Sequence, residues 1–163
     1  GGFLDSAVDI SSEWLGRAVV VKERRQGKIV QELHGSNAPR IADIPTIILV
    51  NQGSASASEI VAGALQDAGK ARLIGTKTFG KGSVQDYQNL QNGSAVKITI
   101  AEWLTPKGRT INKTGLEPDV RVERTPEDYA AKRDPQLERA IQLLTGKTPV
   151  TPSTSTTTGA TRP

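Results

Sequence analysis

The chain has 163 residues, of which 36% are hydrophobic and 23% are charged, a composition that suits one folded domain and a short tail. The formal net charge is +4, and the Lys and Arg residues are scattered without interleaved aromatic residues, so we expect no nucleic-acid partner. The absence of cysteine excludes disulfides, thiolate metal sites and cysteine nucleophiles.

The first residues carry no sign of a natural start. The chain opens with Gly1-Gly2 rather than Met and shows no signal-peptide pattern, and no apolar run is long enough to span a bilayer. We therefore expect a fragment of a longer protein whose upstream part, with any targeting segment, is missing.

The first predicted elements are a helix and two strands. Small and apolar residues at helical spacing predict a helix that begins near Phe3 and ends near Gly16. Residues 17–25 and 29–33 are then typical of two strands joined by a turn at 26–28.

The segment 45–75 predicts a strand–turn–helix–strand unit. Residues 45–51 form an almost wholly apolar, β-branched run that fits a strand covered on both faces. A helix follows the small residues at 53–58 and ends near Gly69, and residues 71–75 read as a second buried strand. This order is typical of a crossover α/β layer.

A hairpin is predicted next, because Asn92-Gly93 separates strand patterns at 84–90 and 95–104. Alternation of apolar and polar residues in the second strand predicts one buried face, formed by Val96, Ile98 and Ile100.

The rest of the chain predicts little regular structure before a last helix. Residues 106–115 form a loop, 119–122 a short edge strand, and 135–144 a helix capped by Asp134. From Thr148 the chain is rich in Thr, Ser and Pro, so we expect one domain over 1–146 and a disordered tail over 147–163.

Ser56 is the candidate nucleophile. It lies in the small-residue segment SASAS (54–58), between the buried strand and its helix, where unpaired amides of the first helical turn can hold an oxyanion. A nucleophile elbow places its serine at the same kind of strand-to-helix turn. On this stretch alone, helix capping by the serines, with Glu59 in the first turn, remains the simpler interpretation.

Two residue types are candidates for the base of such a serine. His34 is the single histidine, and nothing in the sequence marks a carboxylate to orient it. A lysine can act as the general base if burial keeps its amine neutral. Lys81 is flanked by glycines, with Phe79 and Val84 available as apolar cover and Gln85 in reach to orient the amine; a plain surface lysine remains the alternative.

The segment GTKTFGKG (75–82) also resembles a phosphate-binding P-loop. However, Gly82 stands where Ser or Thr should follow the lysine, and a strand rather than a helix is predicted next. Nucleotide binding is therefore disfavoured.

Several segments at compatible spacing resemble the C-terminal processing peptidases, the tail-specific serine proteases of family S41. The resemblance extends from Gly1 to about Leu144 and is carried by GGFLDSAV (1–8), NQGSASASEI (51–60), AGALQD (62–67), TFGKGSVQ (78–85), TPKGRTI (105–111) and GLEPDV (115–120).

The resemblance implies a site and a function. Matched residue by residue, the nucleophile is Ser56, the base Lys81, the third member Gln85, and the oxyanion amides belong to Gly2 and Ala57. It implies a crotonase- or ClpP-like layered α/β core with an antiparallel hairpin. It also implies an extracytoplasmic endopeptidase that cleaves protein substrates near apolar C-termini, without metal or other cofactor.

The same resemblance places a PDZ domain upstream of the catalytic core, and it leaves room for a membrane anchor there. Because Gly2 stands at the very start of the chain, half of the oxyanion hole would lack support, so we expect this fragment alone to be weakly active or inactive. Two other functions stay open: a non-catalytic peptide-binding module, and acyl-CoA chemistry by analogy with the crotonase-like fold.

Overall fold

A computed structural model describes residues 1–146, so the tail predicted at 147–163 lies outside the described residues. The helices are α1 (Leu4–Leu15), α2 (Ala57–Asp67), α3 (Pro126–Ala130) and α4 (Pro135–Thr145). The strands are β1 (Val19–Arg25), β2 (Lys28–His34), β3 (Thr46–Val50), β4 (Ala71–Gly75), β5 (Ser83–Asn89), β6 (Ala95–Leu104) and β7 (Val120–Arg121).

The strands form two sheets. One is antiparallel, in the order β2-β1-β6-β5, and contains the predicted hairpin as its β5–β6 edge. The other is parallel, in the order β3-β4-β7, and its first two strands are joined by α2. The predicted α/β class and the crossover unit are therefore confirmed.

A single apolar core holds α2 in place. It combines residues of α1, α2, β1 and β4 with the loop before β7, and its fully buried members include Val20, Val21, Leu65, Leu73 and Leu116. Burial of each such side chain contributes about 1.5–3 kcal/mol. Because α2 is covered on most of its surface, the position of its first turn is set by the core.

Two burial predictions are wrong. Val96 and Ile98 are 41% and 48% exposed, because β6 pairs with β1 only at residues 102–104 and its first half has β5 as its one neighbour. The strand at 45–51 is not covered on both faces either, since Leu49 of β3 is 41% exposed.

The remaining elements agree closely with the sequence. Gly16 ends α1, β7 forms the predicted edge strand, and Asp134 caps α4 by accepting a hydrogen bond from the Leu137 amide. The short helix α3, capped by Thr125, was not predicted. In the described part of the chain, no helix has both the length and the apolarity needed to cross a bilayer.

Candidate active site

Ser56 occupies a strained turn between β3 and α2. It is the N-cap residue of α2, and its φ of 56° and ψ of −121° lie in a region that residues other than glycine rarely adopt. Such a conformation costs about 1–3 kcal/mol and persists only where the surroundings enforce it. The backbone therefore has the sharp, strained geometry of a nucleophile elbow.

The glycines at the start of the chain lie against this turn. A Cβ atom added at Gly1 would be 3.1 Å from the Ala55 carbonyl oxygen and 3.4 Å from the Ser56 Cβ. One added at Gly2 would be 4.0 Å from the Ala57 Cβ. The structure thus places the two predicted oxyanion residues, Gly2 and Ala57, close to each other next to the Ser56 turn, and a side chain at Gly1 would crowd that turn.

The backbone around Lys81 is also fastened to the serine turn. The Phe79 amide donates to the Ser54 carbonyl at 2.9 Å. Gly80 has a φ of 86°, and a Cβ there would lie 2.9 Å from the Gly115 amide nitrogen, so only glycine allows this close packing. The loop is therefore held in one path between β4 and β5.

The side chains of the predicted catalytic residues are not joined in this chain. Lys81 and Gln85 are exposed, and within residues 1–146 neither the lysine amine nor the glutamine amide forms a hydrogen bond to Ser56. The expected apolar cover is incomplete, because Phe79 is 65% exposed while Val84 is half-buried.

Glu59 is a site residue that the sequence analysis treated only as part of the helix cap. Its side chain is fully buried, and it accepts hydrogen bonds from the Ser56 amide at 3.0 Å and the Lys81 amide at 2.8 Å. The Gly80 amide and the Thr78 hydroxyl also donate to it. The one signal in the sequence is the Ser-x-x-Glu spacing of a capping box. It predicts the hydrogen bond from the Ser56 amide and none of the others.

The two competing motifs do not form sites. His34 lies at the end of β2, on the opposite edge of the antiparallel sheet from β5, where its ring approaches the Arg17 carbonyl and Glu32. Lys81 and Gly82 lead into β5 rather than a helix, which contradicts a P-loop. Within residues 1–146, no group of three His, Asp or Glu side chains is arranged to hold a metal ion.

A mostly apolar cleft of about 290 Å³ opens beside the serine turn. It lies between α1 and the start of α2, and is lined by Gly1, Gly2, Phe3, Ser6, Ala7, Ile10, Ala57, Ser58 and Val61. Two of its residues, Gly2 and Ala57, are the predicted oxyanion residues, so an apolar side chain in the cleft would lie next to them.

By its fold and its serine turn, the chain belongs to the class of layered α/β proteins in which a strained serine lies at the junction of a strand and a helix. The model of peptidase family S41 matches residues 1–122, and the chain belongs to this family.

Curated relatives agree with this family. The carboxyl-terminal-processing protease of Synechocystis sp. is 43% identical over 150 residues, which cover 90% of this chain and 35% of that protein. The protease of the same name from Picosynechococcus sp. is 42% identical over 149 residues, covering 89% and 36%. The chain therefore spans about a third of the length of these relatives.

Solved structures show the same architecture. The photosystem II D1 C-terminal processing protease matches with a TM-score of 0.69 and 36% identity, over 75% of this chain and 32% of that one. The tricorn protease matches with a TM-score of 0.58 at 23% identity, over 88% and 14%, a likeness of fold alone.

Proposed function

We propose that the full-length protein is a serine endopeptidase that cleaves protein substrates near apolar C-termini, with Ser56 as nucleophile and Lys81 as general base. The observation that carries this proposal is the strained Ser56 at the head of α2, with Gly2 and Ala57 beside it. Packing at this turn would be served equally well by alanine or glycine, so packing does not explain why a serine stands in the strained conformation.

The reaction proceeds through an acyl-enzyme. The neutral amine of Lys81 takes the proton from the Ser56 hydroxyl as its oxygen attacks the scissile carbonyl carbon, and the amides of Gly2 and Ala57 receive the oxyanion. The protonated lysine then gives its proton to the leaving amine, and Gln85 orients the lysine side chain. Water hydrolyses the acyl-enzyme by the same steps, which restores Ser56 and Lys81.

The lysine must lose its hydration for this role, because water favours the charged ammonium form. In this chain Lys81 is exposed. Since the chain spans about a third of its curated relatives, we propose that other parts of the full-length protein or the bound substrate cover the amine.

The preference for apolar substrates rests on the cleft between α1 and α2. Its volume of about 290 Å³ and its mostly apolar lining suit a small or medium apolar side chain. A charged side chain there would lose its hydration without gaining a partner. We therefore expect a peptide with an apolar residue on the carbonyl side of the scissile bond to be cleaved with a higher kcat/KM than one with Asp or Lys at that position.

Substitution of the two proposed catalytic residues tests the mechanism. In the full-length protein, Ser56→Ala and Lys81→Ala should each lower kcat by about 10⁴-fold or more, and Gln85→Ala by less. Lys77→Ala is the matched control, because Lys77 lies in the same loop but pairs with Glu117 at 2.9 Å on the surface. Wild-type turnover by Ser56→Ala would contradict the assignment, and loss of activity with EDTA would contradict a metal-free reaction.

A non-catalytic peptide-binding module is the second candidate, and the exposed amine of Lys81 is the observation that favours it. A fluorophosphonate probe separates the two functions. Covalent labelling at Ser56 in the full-length protein indicates an activated serine, whereas peptide binding without labelling indicates the binding module.

A further inference from the structure

Glu59 has more hydrogen bonds than its place in α2 explains. A glutamate in the first turn of a helix ordinarily accepts one hydrogen bond, from the N-cap amide, and otherwise faces solvent. Glu59 is instead fully buried, and it accepts from four donors, three of which come from residues 78–81 on a different loop. Apolar side chains fill such positions with less cost of desolvation.

The arrangement of the four donors is specific. The oxygen Oε2 accepts from the Ser56 amide at 3.0 Å and from the Lys81 amide at 2.8 Å, so one atom links the backbones of both residues. The other oxygen, Oε1, accepts from the Gly80 amide at 2.7 Å and from the Thr78 hydroxyl. Among residues 1–146, no cation pairs with this carboxyl group, so the donors alone satisfy it.

We propose that Glu59 is a positioning residue for catalysis, whose carboxyl group fixes the distance between the nucleophile turn and the lysine loop. The inference rests on the proposed function of Ser56 and Lys81. The two amide nitrogens share one acceptor atom, so their separation cannot exceed the sum of two hydrogen-bond lengths. This restraint acts on the backbone and is present although the two side chains are not joined.

The isosteric substitution Glu59→Gln distinguishes this role from filling of space. The amide side chain has one acceptor oxygen and one NH₂ group, which cannot accept hydrogen bonds. If the NH₂ group replaces Oε2, it faces the amides of Ser56 and Lys81. If it replaces Oε1, the Gly80 amide loses its acceptor. In both orientations the lysine loop shifts relative to the serine, and a misplacement of about 1 Å costs about 10²-fold in rate.

Kinetics of the full-length protein with an apolar-ended peptide test the proposal. We expect Glu59→Gln to lower kcat by about 10²-fold with KM within about twofold, because the substrate cleft is untouched. Fluorophosphonate labelling of Ser56 should slow by a similar factor. The pH dependence of kcat should also change, since Lys81 would lie in a different environment.

The matched control is Asp67→Asn, which also converts a buried carboxyl group of α2 to an amide, at the far end of the helix. The kcat of each variant is measured at the same interval below its own melting temperature, which removes the effect of general stability. An equal fall in kcat in both variants, or wild-type kcat in a folded Glu59→Gln variant, overturns the positioning role.

A measurement on the wild-type protein keeps the proposal testable if Glu59→Gln does not fold. The amide hydrogens of Ser56 and Lys81 should exchange with solvent far more slowly than that of the exposed Asn92 in the hairpin turn. Equally fast exchange overturns the proposal. Full turnover by Ser56→Ala would instead remove the proposed function itself, whereas an inactive Ser56→Ala beside a fully active Glu59→Gln removes only the role of Glu59.

Discussion

The two ends of α2 each carry a buried carboxyl group, and the two groups have different partners. At the first turn, Glu59 accepts from three backbone amides and the Thr78 hydroxyl, all of them neutral donors. At the last turn, Asp67 accepts from the Lys107 amide and from the guanidinium of Arg109, whose side chain is 42% exposed. One helix thus fastens two loops by different means.

The difference indicates what each end is for. An ion pair with an exposed cation tolerates small movements, since water replaces lost contacts. A buried carboxyl group surrounded by neutral donors fixes geometry, because every donor left without its acceptor remains buried. The rigid geometry is found at the end where the strained Ser56 lies, and the tolerant ion pair is found at the other end.

Removal of the Thr78 hydroxyl should give the largest effect of three substitutions that sharpen this comparison. The hydroxyl donates to Glu59 and accepts from the Leu116 amide at 2.7 Å, and Thr78 is buried. Thr78→Val keeps the shape, removes one of the four donors to Glu59, and leaves the Leu116 amide without its acceptor. We expect the free energy of unfolding to fall by about 2–3 kcal/mol and kcat by about tenfold.

Urea unfolding and steady-state kinetics of the full-length protein measure these two effects. Thr78→Ser, which keeps the hydroxyl, is the control and should recover most of both losses. A Thr78→Val protein as stable and active as the wild type would show that the neutral donors at the Glu59 end contribute little to stability or to kcat.

The elements of the fold were largely predictable from local sequence. The helix at 57–67 has its apolar residues at helical spacing, and the strand at 71–75 is a short, mostly apolar segment between Gly69 and Gly75. The exposure of Val96 and Ile98 was not predictable in this way, because an alternating pattern shows which residues share a face but not whether another layer covers it.

The candidate site was predictable in its residue types but not in its connections. Ser56 and Lys81 followed from the small-residue turn, the glycine-flanked lysine and the family resemblance. The contact between Glu59 and residues 78–81 joins segments about 20 positions apart, and no spacing rule links a helix-cap glutamate to a distant loop. The extracytoplasmic location and the tail at 147–163 stay predictions.

Removal of the charge at the other end of α2 should have an intermediate effect that depends on salt. Asp67→Asn keeps one acceptor for the Lys107 amide but loses the attraction for Arg109. We expect a loss of about 1–2 kcal/mol in the free energy of unfolding at low ionic strength. Because Arg109 is partly exposed, about 1 M NaCl should shrink the difference from the wild type.

Thermal unfolding at two salt concentrations checks this prediction, with Thr78→Val as the comparison. The Thr78→Val loss involves no charge pair and should change little between the two salt concentrations. A salt-insensitive Asp67→Asn loss beside a salt-sensitive Thr78→Val loss would reverse the assignment of the two ends.

Substitution of the cation itself should have the smallest effect. Arg109 donates to Asp67 through Nε and Nη2 and also to the Gln66 side chain at 2.9 Å, but its side chain is 42% exposed. Arg109→Gln should cost no more than about 1 kcal/mol of unfolding free energy, since the buried Asp67 retains the Lys107 amide and the glutamine NH₂ group can replace one guanidinium donor. Arg109→Lys, which keeps the charge without the planar fork, is the control in chemical denaturation. A loss from Arg109→Gln as large as that from Thr78→Val would mean that the ion pair fixes geometry as strictly as Glu59 does, and the two ends of α2 would then differ in chemistry but not in role.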